Sequence, residues 1–421
     1  MSEPSDKSAP SRTPFFDVRM RGFRDRAEVA DVVALLAARL RPLPAEEIDL
    51  HEASGRVLAE EISSPVAVPS FDRAAMDGYA LRGQETFGAG PYNPLEFRIV
   101  GEALPGRPFT QPVGPAEAVR IMTGAPLPER ADAVIQVEAA EEQAGILRIS
   151  EAVPPGRHVG RRGEDIELGT VVLCAGRRLR PQDVGVLASI GTAHVRVIRR
   201  PTVALMITGD ELLPCGSRPE GYRIVDSNSV MLEALVRRDG GIPLDTQLIA
   251  DSRPAVEAAV VSARADLLLI SGGSSVGKED HAPRVVAERG ELSVHGMALR
   301  PASPAGVGFL QDRPIFLLPG NPVSCLCAYD FFAGPALRRL GGGSMDWPYR
   351  SCRLPLARKI ISAVGRVDYV RVRIRDGQLE PLATSGASIL SSTTRADGFV
   401  LVPRDSEGVG AGQEVQVFLY D

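Results

Sequence analysis

The sequence is poor in the residues that mark several large classes of protein. Aromatic residues make up 5% of its 421 residues, and its five cysteines lack the spacing of a disulfide framework. Cys325 and Cys327 lie close together, but no second pair is near enough in sequence to complete a zinc site. We therefore expect reduced, structural cysteines rather than a disulfide-rich secreted domain or a zinc protein.

The chain also lacks an excess of positive charge and a long apolar run. Its formal net charge of -5 gives no electrostatic reason to bind nucleic acid or an anionic membrane. No window approaches the roughly 18 uninterrupted apolar residues of a membrane span, and no apolar stretch follows a basic start. These absences predict a cytoplasmic protein with neither a nucleic-acid nor a membrane partner.

Glycine and proline are abundant, with 42 and 34 residues, and 44% of the chain is hydrophobic. This composition and length predict several domains with many tight turns. Residues 1–18 are polar and rich in proline, so we expect a disordered tail. Residues 69–151 have the pattern of short strands and form an expected β-rich insertion. Residues 19–68 and 152–198, on either side of it, are expected to form one discontinuous linking domain.

A different pattern covers residues 199–344. Residues 203–207 (VALMI), 267–270 (LLLI) and 315–318 (IFLL) are apolar runs typical of strands buried on both faces. Helical patterns lie between them, which predicts a parallel α/β sheet. Ligands of such sheets bind beyond the carboxyl ends of the strands, where each of these runs meets small polar residues. Residues 345–421 return to short alternating strands, which predicts a small β-barrel.

Three motifs at those strand ends are candidates for ligand binding. SGGSSVG at residues 271–277, followed by Asp280, could cradle a phosphate with backbone N–H groups, or could be only a tight turn. TGDE at residues 208–211 could bring acids to Mg²⁺ through a substrate phosphate, or could begin a helix with those acids in its first turn. LPGNP at residues 318–322 is a rigid loop that carries an amide.

Two further motifs, FDRAAMDGYA at residues 71–80 and RIMTGAPLP at residues 120–128, carry no recognisable chemistry by themselves. Either could be a plain loop. A generic phosphosugar or nucleotide enzyme would fit the strand ends, but it would leave all five motifs unexplained.

Taken together, the five motifs resemble the molybdopterin molybdenumtransferase family, which includes bacterial MoeA and the E domain of gephyrin. RRGEDI at residues 161–166 and DSN at residues 226–228 also match, and the order and spacing agree from about residue 19 to 420. The resemblance implies a multidomain α/β and β protein. Its parts would be a central parallel α/β pterin-binding domain, an inserted β-rich lid domain, an elongated linking domain and a small C-terminal β-barrel.

The resemblance also implies a homodimer whose active site combines the third and fourth domains of one chain with the second domain of its partner. The enzyme would insert molybdate, its co-substrate, into adenylylated molybdopterin and release AMP, with Mg²⁺ held by Glu211 and Asp280. The residues carried over as catalytic are Asp77, Thr123, Asp165, Glu211 and Asp280. Those carried over as substrate-binding are Thr208, Gly209, Asp210, Asp226, Asn228, Gly272, Gly273, Ser274, Ser275, Pro319, Gly320 and Asn321.

The expected molybdate site departs from the family pattern. Where the family reads Lys-Pro-Gly-Lys-Pro, residues 300–304 read RPASP, so Arg300 keeps the first positive charge and Ser303 loses the second. One unit charge at ~4 Å is worth roughly 4 kcal/mol at intermediate dielectric, so we expect weaker oxyanion binding. Two alternatives remain open: a non-catalytic paralogue that carries molybdopterin, or an enzyme that inserts tungstate. The molybdate-binding residues carried over are Arg300, Ser303, Pro304, Arg371 and Ser388.

Overall fold

The computed structural model describes residues 26–274, 280–383 and 386–420. These residues form two compact units. The β unit contains residues 47–54 and 58–197, and the α/β unit contains residues 26–46, 55–57 and 198–420. None of the helices in the described part of the chain combines the length and the hydropathy that a membrane span requires.

The β unit contains a six-stranded sheet that is buried on both faces. Ala80 and Val119 contribute to the core on one face, while their neighbours Leu81 and Ala118 contribute to the core on the other. Gly78 lies where a Cβ atom would be only 1.9 Å from the Ile135 carbonyl oxygen. The strands are, in order across the sheet, Ala133–Gln136, Gly78–Leu81, Glu117–Ile121, Leu95–Ala103, Ile146–Ile149 and Ala140–Gln143.

A third core in the β unit joins residues from both ends of its sequence. Leu50 and Leu58 pack in it with Leu173, Leu187 and Val197. The exact bounds of the expected linking and inserted domains stay a prediction. Other elements near or in this unit are the strands Ala45–Asp49, Ile62–Ser63, Arg73–Ala74, Val159–Gly160, Val171–Leu173 and His194–Ile198, the 3-10 turns Leu50–Glu52, Gly83–Thr86 and Val137–Ala139, and the helix Pro181–Ser189.

The α/β unit contains a seven-stranded mixed sheet rather than a wholly parallel one. Gly306–Leu310 runs antiparallel to Arg313–Leu318, because the two residues between these strands allow only a hairpin. Gln311 in this turn has φ +59°. The order is Ile242–Pro243, Thr202–Thr208, Leu267–Ser271, Arg313–Leu318, Gly306–Leu310 and Glu291–His295, with Gln247–Ile249 also paired with Thr202–Thr208.

Helices pack against this sheet, and one of them comes from the N-terminal part of the chain. Val32 and Leu36 share a core with Val203 and Leu205, so residues 26–46 pack with the α/β unit. The apolar face of that helix is buried against the core of the sheet. The helices are Val29–Arg39, Asn228–Arg238, Arg253–Ser262, Ala282–Arg289, Pro322–Ala328, Gly334–Leu340 and Ser391–Thr394, with a π-helical turn at Tyr329–Ala333.

A second sheet occupies the C-terminal part of the same unit. A bridge between Leu356 and Leu379 closes its ring of strand pairings. Tyr369 and Phe399 extend from it into the α/β core, where Phe331 also packs. The strands are Leu299–Arg300, Val367–Arg375, Gly398–Val402, Glu414–Leu419 and Ser351–Pro355 in order, with Gln378–Ala383 paired with Val367–Arg375; short strands Leu212–Leu213, Ile224–Val225, Ile360–Ile361 and Gly408–Val409 lie outside the two large sheets.

Candidate functional site

The three apolar strands of the α/β unit end side by side. Thr202–Thr208, Leu267–Ser271 and Arg313–Leu318 are adjacent and parallel, so their carboxyl ends share one edge of the sheet. Both the Gly272 N–H and the Ser274 hydroxyl donate hydrogen bonds of 3.1 Å to the Leu318 carbonyl oxygen. The loop that follows the second strand therefore wraps over the end of the third.

Close backbone approach explains the glycine at position 272. Its φ is +94°, and a Cβ atom there would lie 2.4 Å from the Thr208 carbonyl oxygen and 2.7 Å from Thr208 Oγ1. Gly320 approaches from the other side, since its Cβ position is 3.6 Å from Gly272 Cα. Gly273, with φ +55°, also leaves its Cβ position only 3.0 Å from Thr208 Oγ1. The loops that follow the three strands thus meet at backbone contact distance.

Asn228 joins these loops. Its Nδ2 donates to Ser271 Oγ at 2.9 Å and to the Gly320 carbonyl oxygen at 2.8 Å. Ser271 was missed as a site residue, although a hydroxyl at the end of an apolar strand was the available signal. We call Thr208, Asn228, Ser271, Gly272 and Gly320 the strand-end cluster.

Two buried polar atoms of the strand-end cluster have no hydrogen-bond partner among the residues that the structure describes. They are Thr208 Oγ1 and Asn228 Oδ1. Buried polar atoms are nearly always satisfied in folded proteins, by protein, ordered water or ligand. Their position at the strand ends therefore marks this edge as a place where a polar ligand would be accepted.

The acids beside the cluster have different environments. Asp226 is buried, and its Oδ1 accepts the N–H groups of Asn228 at 2.9 Å and Ser229 at 3.2 Å, so it orients the start of the Asn228–Arg238 helix. Asp210 accepts the Asp251 N–H at 3.1 Å. The alternative that residues 208–211 begin a helix is wrong, because a turn and the short strand Leu212–Leu213 follow.

Glu211 and Asp280 are the acids that we expect to hold Mg²⁺. Glu211 is exposed just after the first strand, and Asp280 precedes the helix Ala282–Arg289. Ser275 lies outside the described residues, as do residues 276–279. Among the described residues there is no group of three or more side chains that could hold a metal by themselves. This donor set fits an ion shared with substrate phosphates, since Mg²⁺ commonly takes one or two carboxylates and completes its shell with phosphate and water.

Two remaining substrate-binding candidates belong to the LPGNP loop. The Pro319 carbonyl oxygen lies 3.5 Å from Ser271 Oγ, which donates to it. Asn321 is exposed at the start of the helix Pro322–Ala328. Gly209, at the end of the first strand, leaves its Cβ position 2.8 Å from Glu211 Oε2. All of these lie on the loops that border the strand-end cluster.

In the β unit, the structure brings together two motifs that had no chemistry of their own. Asp77 Oδ1 accepts the Thr123 backbone N–H at 2.7 Å and the Thr123 hydroxyl at 2.8 Å. These two bonds, the backbone one first, hold the pKa of Asp77 below its usual range. An exposed, ionised carboxylate with a fixed orientation results.

The RRGEDI motif is attached to the same region by an acid that we did not single out. Asp72 accepts the Arg162 N–H at 2.8 Å and Arg161 Nη1 at 2.9 Å, and the bond from Arg162 is the largest cause of its lowered pKa. The carboxylate of Asp165 is exposed, while its N–H donates to the Val68 carbonyl oxygen at 3.1 Å. The signal for Asp72 was its place within the FDRAAMDGYA motif.

The expected oxyanion residues divide between two places in the α/β unit. Arg300 forms an ion pair with Asp368, which is 1% exposed and also accepts the Ser362 hydroxyl at 2.6 Å. Ser303 Oγ and Arg300 Nε are buried without a hydrogen-bond partner among the described residues, and Pro304 next to them is half-buried.

Arg371 lies three positions after Asp368 on the same strand, so the two side chains leave it on opposite faces. It is 1% exposed beside Cys327, and burial lowers its pKa. Ser388 is exposed in the loop whose Ala387 carbonyl accepts the Val323 N–H at 2.9 Å. The structure therefore associates Arg371 and Ser388 with the helix after the LPGNP loop, and Arg300 with Asp368.

Three family models cover most of the chain. The MoeA N-terminal region (domain I and II) matches residues 27–191, a probable molybdopterin-binding domain matches residues 204–339, and the MoeA C-terminal region (domain IV) matches residues 353–420. The strand-end cluster lies within the second of these matches. The whole architecture, with its α/β and β parts, is thus that of one known family.

Individual relatives agree with the family models. The chain is 34% identical over 387 residues to the molybdopterin molybdenumtransferase of Haemophilus influenzae, covering 89% of this chain and 94% of that protein. It is also 34% identical to molybdopterin molybdenumtransferase 2 of Mycobacterium tuberculosis, covering 92% and 97% of the two chains. A crystal structure of the molybdopterin biosynthesis MoeA protein from Pyrococcus horikoshii superposes with a TM-score of 0.81 at 31% identity, covering 94% of this chain and 100% of that one. The chain therefore belongs to the MoeA family of molybdenum-cofactor biosynthesis.

Proposed function

We propose that this protein is a molybdopterin molybdenumtransferase that inserts molybdate into adenylylated molybdopterin and releases AMP. The observation that carries the proposal is the strand-end cluster, where three loops meet around the unpartnered Thr208 Oγ1 and Asn228 Oδ1. Family membership and the relatives' names support the same reaction.

The strand-end cluster would hold the phosphate and pterin end of the substrate. Backbone N–H groups of this glycine-rich loop beyond Gly272, whose own N–H is donated to the Leu318 carbonyl oxygen, would suit an anion, because no side chain keeps the ligand away from them. The Thr208 hydroxyl would donate to a phosphate oxygen, and Asn228 Oδ1 would accept from a pterin N–H, because Asn228 Nδ2 is committed to Ser271 and Gly320. Gly272 would let the ligand approach. Gly209, Asp210, Gly273, Ser274, Pro319 and Asn321 would shape the loops, as would Ser275 outside the described residues.

Glu211 and Asp280 would hold Mg²⁺, and a bound Mg²⁺ would supply charge neutralisation that favours the departure of AMP. Glu211, which is exposed, can move to meet a phosphate. Asp226 would act by orienting Asn228, because its carboxylate is already committed to the helix start.

Asp77, Thr123 and Asp165 would act in a homodimer, from the β unit of one chain on the α/β unit of the partner. The supporting observation is that Asp77 is exposed and that Thr123 orients its carboxylate. A fixed carboxylate of this kind can accept a proton or orient a nucleophilic water or molybdate oxygen. The protein would act in the cytoplasm, where its substrate and reduced cysteines are compatible.

Arg300, Ser303 and Pro304 would form one part of the molybdate site, beside Asp368, and Arg371 and Ser388 would form a second part, beside the helix after the LPGNP loop. Ser303 favours a second candidate function, because it removes a positive charge that an oxyanion site would use. In that alternative the protein binds molybdopterin and passes it on without inserting metal.

The test is a single-turnover assay with adenylylated molybdopterin, Mg²⁺ and saturating molybdate, which measures AMP and the finished cofactor. We expect stoichiometric AMP release that depends on molybdate. Pterin binding without AMP release would refute the enzyme and support the carrier; turnover appearing only in Ser303→Lys would do the same. Parallel reactions with tungstate show whether the two oxyanions compete and which one the protein prefers.

A further inference from the structure

A charged cluster surrounds Asp368 at the junction between the Arg300 loop and the C-terminal sheet. Arg300 pairs with Asp368 because Leu299–Arg300 runs parallel to the strand that begins at Val367. Arg366 brings a second guanidinium, with Nε 3.4 Å from Asp368 Oδ1. Asp368 also accepts the Ser362 hydroxyl. Two cations and one anion leave a net charge of +1.

Asp368 is unlike an ordinary surface acid. Its side chain is 1% exposed, whereas those of Arg300 and Arg366 are 27% and 31% exposed. A buried carboxylate is costly unless donors compensate it, so its partners are held firmly. Arg300 is thus anchored by its hydrogen bond to Asp368 Oδ2 while it remains partly open to solvent. Arg366 is held near Oδ1 by charge, without a hydrogen bond from its Nε.

Residue 300 is an arginine where the family pattern has a lysine, and an arginine gains more from being held in one orientation. A lysine ammonium acts as a point charge, but a guanidinium is a planar fork whose hydrogen bonds have fixed directions. Once Asp368 takes one Nη of Arg300, the orientation of the remaining N–H groups is set. Arg300 Nε and Ser303 Oγ, three residues apart on one loop, are buried and have no hydrogen-bond partner among the described residues, and the same is true of Arg366 Nε and Asp368 Oδ1.

We propose that Arg366 and Asp368 complete the oxyanion subsite at Arg300 and Ser303, with Arg366 supplying the second positive charge and Asp368 acting as the positioning residue. The ligand class is a doubly charged tetrahedral oxyanion. The inference rests on the proposed function, whose co-substrate belongs to that class.

The proposal makes a prediction opposite to that of simple charge counting. If only net charge mattered, replacing Asp368 by a neutral residue would strengthen oxyanion binding. If Asp368 positions the two guanidinium groups, the same change weakens binding, because the donors lose their orientation. The sign of the effect therefore separates the two views.

The experiment is calorimetric titration of the full-length protein with sodium molybdate at constant pH and ionic strength. We expect Asp368→Asn and Arg366→Gln to raise Kd roughly 10- to 100-fold, the effect of one lost hydrogen bond to a charged group. Ser303→Lys in the Arg366→Gln background is expected to restore affinity, which a merely structural role would not predict. Arg375→Gln changes an exposed arginine of the same strand and serves as the matched control.

Each outcome bears on a different claim. Equal or tighter binding by Asp368→Asn would refute its positioning role, and unchanged binding by Arg366→Gln, or no rescue by Ser303→Lys, would refute the charge role of Arg366. If Asp368→Asn does not fold, Ser362→Ala removes one of its donors and is expected to give a smaller loss; no loss there would count against the proposal. A wild-type protein that binds no molybdate, with or without molybdopterin, would refute the oxyanion part of the proposed function and this inference with it.

Discussion

Asp77 accepts two hydrogen bonds from Thr123, a residue 46 positions later in the chain. Both donors reach the same carboxylate oxygen, at 2.7 and 2.8 Å. One donor is backbone and the other is a side chain, so a substitution can remove the second and keep the first. This relationship turns two motifs without local chemistry into one exposed, oriented acid.

Replacement of Thr123 by valine is expected to raise the pKa of Asp77 part of the way towards its ordinary value. The backbone bond is the larger cause of the lowered pKa and remains, whereas the hydroxyl bond is lost. If the reaction needs ionised Asp77, the acidic limb of the pH profile of AMP release moves to higher pH in Thr123→Val. Thr123→Ser keeps a hydroxyl and is the control; identical limbs in the two variants would contradict this role for Thr123.

Replacement of Gly272 by alanine is expected to destabilise the α/β unit and abolish pterin binding. The positive φ costs about 1–3 kcal/mol for a residue with a side chain, and the new Cβ atom would meet the Thr208 carbonyl at 2.4 Å. Thermal unfolding measures the first effect and pterin fluorescence titration the second.

Gly320→Ala is the matched control for stability. Its Cβ position is at an ordinary contact distance of 3.6 Å from Gly272 Cα, so the melting temperature is expected to stay close to that of the wild type. Equal melting temperatures for Gly272→Ala and the wild type would show that close packing at the strand ends is not needed.

Replacement of Glu142 by glutamine is expected to lower the stability of the β unit at neutral pH. Arg120 and Tyr79 donate to Glu142 at 2.9 and 2.8 Å and lower its pKa to about 2, the bond from Arg120 being the larger cause. A depressed folded-state pKa stabilises the ionised fold above the unfolded value of 4.5, and this contribution is lost as the pH falls from 4.5 towards 2.

The difference in melting temperature between the wild type and Glu142→Gln is therefore expected to be roughly 2–4 °C at pH 7 and to shrink below pH 4.5. Scanning calorimetry across this range is the measurement, with Glu141→Gln, its exposed neighbour, as the control. A difference that grew on acidification would have the wrong sign for this ion pair.

Replacement of Glu211 by glutamine is expected to raise the Mg²⁺ concentration that gives half-maximal AMP release by roughly tenfold or more, since one charged ligand is lost. Because Glu211 is exposed, the melting temperature is expected to remain unchanged. Glu220→Gln removes an exposed acid from the same segment, between the strand Thr202–Thr208 and the helix Asn228–Arg238, and serves as the control. An unaltered Mg²⁺ dependence would remove Glu211 from the metal site.

The sequence predicted the strand-end loops because local patterns specify them. An apolar run that ends in glycine and hydroxyl residues predicts a buried strand that ends at a loop, and Leu267–Ser271 is such a strand. The hairpin at Gln311 was not predicted, since no period in the apolar pattern distinguishes an antiparallel edge from a parallel strand.

Asp368 shows where the prediction of the site stopped. It lies three positions before Arg371, yet only the arginine was carried over as an anion ligand. Charged residues in a buried strand need partners, which was the available signal, but the partner Arg300 is 68 positions away. Sequence spacing alone could not supply that pairing.

The sequence by itself determined the family, the strand ends and the types of residue that could meet a phosphate or an oxyanion. These follow from short patterns in which neighbours along the chain carry the information. Only the tertiary structure decided which distant residues contact each other: Thr123 with Asp77, Asn228 with Gly320, and Arg300 with Asp368. Such pairings depend on how strands are ordered and which face each side chain takes, and these are set by packing of the whole sheet rather than by local sequence.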